Sequence, residues 1–287
     1  MPVNRPKHLM IIGGGVFQVP VIKTAKSMGL KVVVTDYNPE SEGMLLADFP
    51  IEVSTRNINL TVNTAKQFHM ACPLDGVMTV GTDASQTVAA VADALNLPGI
   101  PFEVAERATD KIKMRQVLQE KGVPVPQFRS VWTLDEGREA VNSMELPLVI
   151  KPCDNMGARG VRKIERPDDL IPAFREAKEA SISGKLVVEE FMDGPELSLD
   201  ALIYQDDIHI TGVADRIIEH SPYFVEVGHT LPSSLPEKQV KETIDVFKHA
   251  IRALGINTGA AKGDIKFTSE GPKIVEIAAR LSGGWMS

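Results

Sequence analysis

The residues best placed to do chemistry stand in two neighbouring segments near the C-terminal end. In Lys262-Gly263-Asp264-Ile265-Lys266-Phe267, period-two alternation puts Lys262, Asp264 and Lys266 on one strand face. In Lys273–Arg280 it puts Glu276, Ala278 and Arg280 together, with Val275, Ile277 and Ala279 opposite. A hairpin through Ser269-Glu270-Gly271-Pro272 would let Asp264 and Glu276 converge. Such a pair suits Mg2+, which takes one or two carboxylates with phosphate oxygens and water. Arg280 beside them could stabilise charge developing on a transferred phosphoryl group. The plainer alternative is an ion-paired hairpin face.

Phosphate-type features lie upstream. Lys151 closes the apolar run Leu148–Ile150 and precedes the loop Asp154-Asn155-Met156-Gly157-Ala158-Arg159-Gly160. Gly157 and Gly160 would let backbone N–H groups approach phosphate oxygens, and the lysine supplies a point charge; a solvated turn remains the alternative. Lys111 could be a second phosphate cation or a surface lysine. In Leu186–Gly194 an apolar strand ends in Glu189 and Glu190, where desolvation is costly unless the carboxylates bind something polar. The linker beyond could offer its backbone to a purine edge, and Glu196 could take a ribose hydroxyl. Arg216–Pro232, with Glu226 and His229, suits either a substrate loop or a long surface connection.

The elements that must position these groups follow from the hydrophobic pattern. Leu9–Ile12, a glycine turn, an amphipathic stretch at Pro20–Met28 and a strand at Lys31–Thr35 make a βαβ unit, hence a parallel sheet. A second strand–helix pair follows at Gly76–Val80 and Ala84–Leu95, and Leu97–Pro101 ends this domain. Beyond it, Asp110–Glu120 reads as a helix capped by Thr109. Strands are expected at 146–151, 161–164, 186–190, 197–204, 209–215, 261–268 and 273–280, with helices at 168–180 and 237–254. The fold class is α/β and α+β: a parallel Rossmann-like N-terminal domain followed by two α+β modules.

Length and charge narrow the function. At 287 residues the chain is about two domains' worth. With 31 Lys+Arg against 38 Asp+Glu the net charge is −7, which argues against nucleic acid. No apolar run is long enough to span a bilayer, and glycines interrupt the only candidate signal segment, so a cytoplasmic protein is expected. Cys72 and Cys153 read as buried free thiols in a reducing compartment. Gly13-Gly14-Gly15-Val16-Phe17-Gln18 misses the third glycine of a dinucleotide fingerprint, because Gln18 stands there. With Asp36 it leaves a nicotinamide-dependent oxidoreductase as an alternative to a purely steric turn.

In order along the chain stand Thr-Asp-Lys at 109–111, Val-Ile-Lys-Pro at 149–152, the Gly157–Gly160 loop, Val-Val-Glu-Glu-Phe-Met-Asp-Gly at 187–194, Asp264, and Glu-Ile-Ala-Ala-Arg at 276–280. Together they resemble the ATP-grasp superfamily, and most closely its biotin carboxylase, carbamoyl-phosphate synthetase and carboxylate–amine ligase branch. The resemblance implies a pre-ATP-grasp domain at 1–108, a lid module at 109–191 and a large module at 192–287. It implies ATP with Mg2+ (or Mn2+), small-molecule carboxylate and amine substrates, and allows a homodimer. Lys111 and Lys151 would contact phosphates beneath a loop carrying Gly157, Arg159 and Gly160. Glu189 and the backbone of Glu190, Phe191 and Met192 would meet adenine, and Glu196 the ribose. Asp264 and Glu276 would hold the metal; Lys151 and Arg280 would be catalytic, with Arg280 meeting the acyl phosphate. Glu226 and His229 would contact substrate.

Two departures qualify that picture. Ala278 occupies the place of an asparagine in many relatives, and relatives continue well beyond the Arg-x-x-Gly-Gly segment that ends here at Gly284. A large module truncated at its C-terminus is therefore expected, and a catalytically silent ATP-binding protein is the other alternative.

Overall fold

The computed structural model describes residues 5–283 and 286; Gly284 lies outside them. The first unit contains β1 (His8–Ile12), α1 (Val19–Ser27), β2 (Lys31–Asp36), α2 (Glu42–Leu46), β3 (Phe49–Glu52), α3 (Ile58–Ala71), β4 (Gly76–Met78) and α4 (Ser85–Leu95). Its strands form a parallel sheet in the order β3-β2-β1-β4. The apolar runs of β1 and β2 need cover on both faces. Met10, Ile12 and Val33 pack toward α3 and α4, while Ile11, Val32 and Val34 pack toward α1 and α2.

Helices α5 (Phe102–Thr109) and α6 (Lys111–Glu120) follow. The cap of α6 is Asp110 rather than the expected Thr109: its carboxylate accepts from the N–H groups of Ile112 and Lys113. Thr109 instead donates its hydroxyl to the Ala105 carbonyl inside α5. The next unit is an antiparallel sheet of β5 (Phe128–Val131), β6 (Leu148–Pro152), β7 (Arg162–Ile164) and β8 (Leu186–Glu190), ordered β5-β8-β6-β7. Helices α7 (Leu134–Ser143) and α8 (Leu170–Ala180) cover it, burying Ala140, Val141, Leu170 and Ala173 against Leu148, Ile150 and Leu186. Sequence reading passed over β5 and α7, although Thr133 and Glu136 form a complete capping box.

The last unit is a five-stranded antiparallel sheet, β11-β10-β9-β12-β13, built from β9 (Glu196–Tyr204), β10 (Asp207–Glu219), β11 (Val225–Thr230), β12 (Gly259–Thr268) and β13 (Gly271–Ala278). Helix α9 (Glu237–Leu254) lays Phe247, Ala250, Ile251 and Leu254 on it, at the spacing of one helical face. Val104, Met114 and Leu118 enter the same core, so α5 and α6 both pack on this third sheet, on either side of residue 109.

Three further differences bear on the site. The segment 216–232 is no open loop, because β10 runs on to Glu219 and pairs with β11. Strict alternation fails in β13: the register slips between Asp264↔Glu276 and Ile265↔Ile274, leaving Val275 as a bulge. Val275 therefore lines a cavity instead of joining Ile277 in the core. Cys153 is buried as expected, whereas Cys72 is partly exposed.

The linker between the two antiparallel sheets turns at Gly194, whose φ is +118°. A Cβ there would stand 2.2 Å from the Phe267 carbonyl oxygen. Gly194→Ala should destabilise the protein by about 2 kcal/mol or more, combining left-handed strain with overpacking. Chemical denaturation of parent and variant checks this.

Candidate active site

The four-stranded and five-stranded antiparallel sheets face one another across a cleft. Its empty volume, open solvent included, is about 740 Å3, within the ~300–1,000 Å3 usual for small-molecule sites. One end is apolar, lined by Val149, Val161, Phe191, Met192, Ile218 and Phe224. Lys111, Lys151, Lys266 and Arg216 line the same cleft with Glu189, Glu190, Glu196 and Glu276.

Lys111 opens α6, with its backbone N–H donating to the Cys153 carbonyl (3.0 Å). Its ammonium donates to the Asn155 carbonyl (2.8 Å) and lies 3.3 Å from Glu276 Oε1. Lys151, on β6, is 2.6 Å from Glu189 Oε2 on β8, and both are buried. Behind them Arg115 of α6 donates through Nε to Glu189 Oε1 (2.8 Å) and through Nη2 to Oε2 (3.3 Å). Burial alone would push the Glu189 carboxyl up, but Arg115 and Lys151 outweigh it and hold the pKa at about 2. Burial lowers the pKa of Lys151, and Glu189 opposes that shift.

A second cavity continues from the first, sharing Met156, Gly157, Ala158, Arg216 and Glu276. Lys262, Asp264, Arg280, Glu226 and His229 line it, with Phe17 and Gly81 contributed by the first unit. Arg216 stands opposite Glu196 of β9 and His229 of β11. Its Nη1 contacts Glu196 and lies 3.2 Å from Asp264 Oδ2, and its Nε donates to Glu226 (2.7 Å). Burial would raise the Asp264 pKa, yet Arg216 and Lys262, the latter 2.6 Å away, hold it far below the usual carboxylate range. Ser198 also donates its hydroxyl to Asp264 (2.5 Å). For Glu276, burial is again outweighed, here by Lys111 and Lys262, and its pKa is lowered.

The structure brings most of the expected residues together and gives several a different occupation. Gly157, at φ +69°, borders both cavities, and a side chain there would meet nothing within 4 Å. Arg159 lies outside both: it is exposed, and its Nε donates to the Met156 carbonyl. Gly160 is also outside, pressed against α8 so closely that a Cβ would sit 2.6 Å from that of Ala180. Its reason for being glycine is steric. The Glu189 carboxylate is spent on Arg115 and Lys151 and so is not open to an adenine. Glu190 binds Lys273 (2.6 Å), and the N–H groups of Glu190 and Phe191 donate to the Gln127 and Pro147 carbonyls. The Met192 N–H has no partner among the described residues, and Met192 lines the cleft. Glu196 is held by Arg216, with Lys266 3.9 Å away. Arg280 is buried, donates through Nη1 to the Leu281 carbonyl (3.1 Å), and keeps a buried Nε without a partner among the described residues. Glu226 and His229 face the second cavity from a strand, not from a loop.

Asp264 and Glu276 are direct register partners, as expected, and both are kept ionised. Among the described residues no group of three or more His, Cys, Asp or Glu is arranged to hold a metal. Two carboxylates fit a magnesium ion that draws its other ligands from phosphates and water. The glycine turn after β1 is filled from within. Asp36 accepts from the Gly14 and Asn38 N–H groups, and Gly43 packs so closely that a Cβ there would lie 2.6 Å from the Gly14 oxygen. The acid expected to hold a ribose in a nicotinamide enzyme is thus committed to the turn.

Sequence reading missed Arg115 and Arg216. Arg115 carried a signal, four residues after Lys111 on the same helical face. Arg216 carried only its place in the apolar strand Val213–Ile218.

The family description "ATP-grasp domain" matches residues 144–287, and "ATP-grasp N-terminal domain" matches residues 22–99. The chain belongs to the ATP-grasp family. It is 30% identical over 239 residues to uncharacterized protein y4rH of Sinorhizobium fredii (strain NBRC 101917 / NGR234), covering 80% of this chain and 48% of that one. It is 29% identical over 217 residues to alanine–anticapsin ligase of Bacillus subtilis (strain 168), covering 68% and 46% respectively. The crystal structure of L-amino acid ligase from Bacillus licheniformis matches with a TM-score of 0.82 and 27% identity, over 96% of this chain and 67% of that one. The chain spans about half the length of the curated relatives it matches. No helix among the described residues is long and apolar enough to cross a membrane.

Because Glu189 and Asp264 have pKa values below their unfolded ones, their stabilisation is present above the ordinary carboxylate range and is lost as pH falls through the folded values. Stability measured by urea titration should therefore drop steadily below about pH 4.5. Asp264→Asn should flatten that drop, and an unchanged slope would show that Asp264 is not held ionised.

Proposed function

We propose that the protein is an ATP-dependent ligase that activates a carboxylate as an acyl phosphate for attack by an amine, using Mg-ATP. The observation that carries this reading is one continuous cavity system, with an apolar slot and two buried lysines in one part and a carboxylate pair beside an arginine in the other. The slot takes the base, and the Met192 N–H hydrogen-bonds its edge. Lys111 and Lys151 hold phosphate oxygens, and the backbone of Gly157 approaches them from above without steric hindrance. Asp264 and Glu276 would hold Mg2+, which supplies charge neutralisation between the phosphates; Mn2+ would satisfy the same oxygen donors.

The substrate carboxylate then lies in the second cavity, which Arg280 lines. A carboxylate oxygen attacks the γ-phosphorus, the bond from that phosphorus to the ADP oxygen breaks, and ADP leaves. The amine nitrogen attacks the acyl carbon, the carbon–oxygen bond to phosphate breaks, and the amine gives up a proton. The protein contributes positioning and charge stabilisation. Glu226 and His229 face the nucleophile's side of this cavity. The names of the two ligase relatives support amino acids as both partners. From the packing we assign residues 5–101 to one unit, 128–191 to a second, and 102–127 with 192–283 to a third.

Calorimetry should show magnesium-dependent ATP binding that weakens by about tenfold or more in Lys151→Ala and Glu276→Ala, the loss of a charged contact being worth ~1.5–3 kcal/mol. Phosphate release should then require an amino-acid pair. Unchanged affinity in both variants would refute the site, and ATP binding without phosphate release for any pair would favour the silent binder.

A further inference from the structure

Arg115 lines neither cavity, yet it touches both sides of the nucleotide cleft. Its side chain is fully buried at the meeting point of α6, β8 and β13. Toward β8 its fork holds both oxygens of Glu189, whose Oε2 in turn holds Lys151. Toward β13 its Nη2 donates to the Val275 carbonyl at 2.6 Å. Val275 is the bulge residue, and the bulge sets Val275 toward the cleft and Glu276 opposite Asp264. One guanidinium therefore fixes the register of a phosphate lysine and of a metal carboxylate that belong to different sheets. We propose that Arg115 is a positioning residue for nucleotide binding, acting on Lys151 through Glu189 and on Glu276 through the Val275 bulge. This rests on the nucleotide reading of the cleft.

A purely stabilising role explains the arrangement poorly. The remaining nitrogen, Nη1, is buried without a partner among the described residues, which costs stability. Replacing a whole buried charge cluster by well-packed apolar side chains often costs no stability, so stability alone does not call for Arg115, Glu189 and Lys151 together. An orphaned donor is tolerable if the other two nitrogens are needed where they are. The charged groups facing the Lys151 ammonium are Arg115 and Lys111 from α6, Glu189 from β8 and Glu276 from β13. Of these, Glu189 alone contacts it directly as a carboxylate. Arg115 thus orients the group that keeps Lys151 protonated.

The test is Mg-ATP affinity by calorimetry in the full chain, across pH 6.5–9.5, below the melting temperature of each variant. Arg115→Met should weaken binding about tenfold or more, as loss of an outer-layer partner does elsewhere, and should blunt the gain in affinity from magnesium. Arg115→Lys keeps the charge but cannot hold Glu189 and Val275 together, so it should recover only part of the loss. In Glu189→Gln the lysine loses its carboxylate and remains beside Arg115, so affinity should rise more steeply as pH falls than it does in the parent. If Arg115→Met does not fold, Arg115→Lys decides alone. A folded Arg115 variant with parental affinity and parental magnesium dependence would overturn the proposal while leaving the nucleotide reading intact. A parent that binds no nucleotide at any pH would overturn both.

Discussion

Burying a cation is tolerable only when a carboxylate stands against it, and the cleft is organised around that constraint. Lys151 and Arg115 converge on Glu189, and Lys111 on Glu276. Arg216 sits among Glu196, Glu226 and Asp264. Lys151–Glu189 and the Arg216 pairs tie strands within one sheet, whereas Arg115, bonded to Glu189 and to the Val275 carbonyl, and Lys273, bonded to Glu190, connect the two antiparallel sheets. A ligand carrying several negative charges has to compete with internal carboxylates for the same lysines, and the magnesium that accompanies it has to compete with lysine and arginine for Asp264 and Glu276. This exchange of partners explains how a chain of net charge −7 can offer a polyanion site: the local balance differs from the overall one.

The two cavities belong to one chemical arrangement because Arg216 and Glu276 border both. The first unit takes part as well. Phe17 follows the glycine turn of its parallel sheet and Gly81 follows β4, and both reach the second cavity. The filled turn at Gly13–Gly15 is therefore not idle. It gives up a nucleotide site of its own and directs the following residues toward a cavity formed mainly by the last sheet.

Much of this was legible in the sequence, and what was not has identifiable causes. The parallel sheet, β6, β8, α9 and the β12–β13 hairpin follow from runs and periodicities strong enough to outweigh their surroundings. The facing of Asp264 and Glu276 follows from alternation and one turn. Alternation could not reveal the bulge at Val275, whose carbonyl accepts from the Arg115 side chain of another element. Nor could it separate Gly157 from Gly160, since both take positive φ and only the packing of α8 distinguishes them. Glu189, Glu190 and Glu196 are legible as carboxylates needing partners, but whether the partner is a ligand or a cation of the same chain is a tertiary fact. Strand β11 was hidden because Val225–Thr230 is short, carries Gly228 and follows Ser221-Pro222, so it looks like a loop until β10 supplies the ladder.

A nucleotide in the cleft between the two antiparallel sheets would set its base beside Met192 and its phosphates beneath Gly157. Amide hydrogen exchange with and without Mg-ATP tests that placement most directly, because it locates the ligand residue by residue in the unaltered chain. Exchange should slow at the Met192 N–H and across Gly157 and Ala158, with Gly13–Gly15 unchanged. Protection at Gly13–Gly15 and none at Met192 would contradict it.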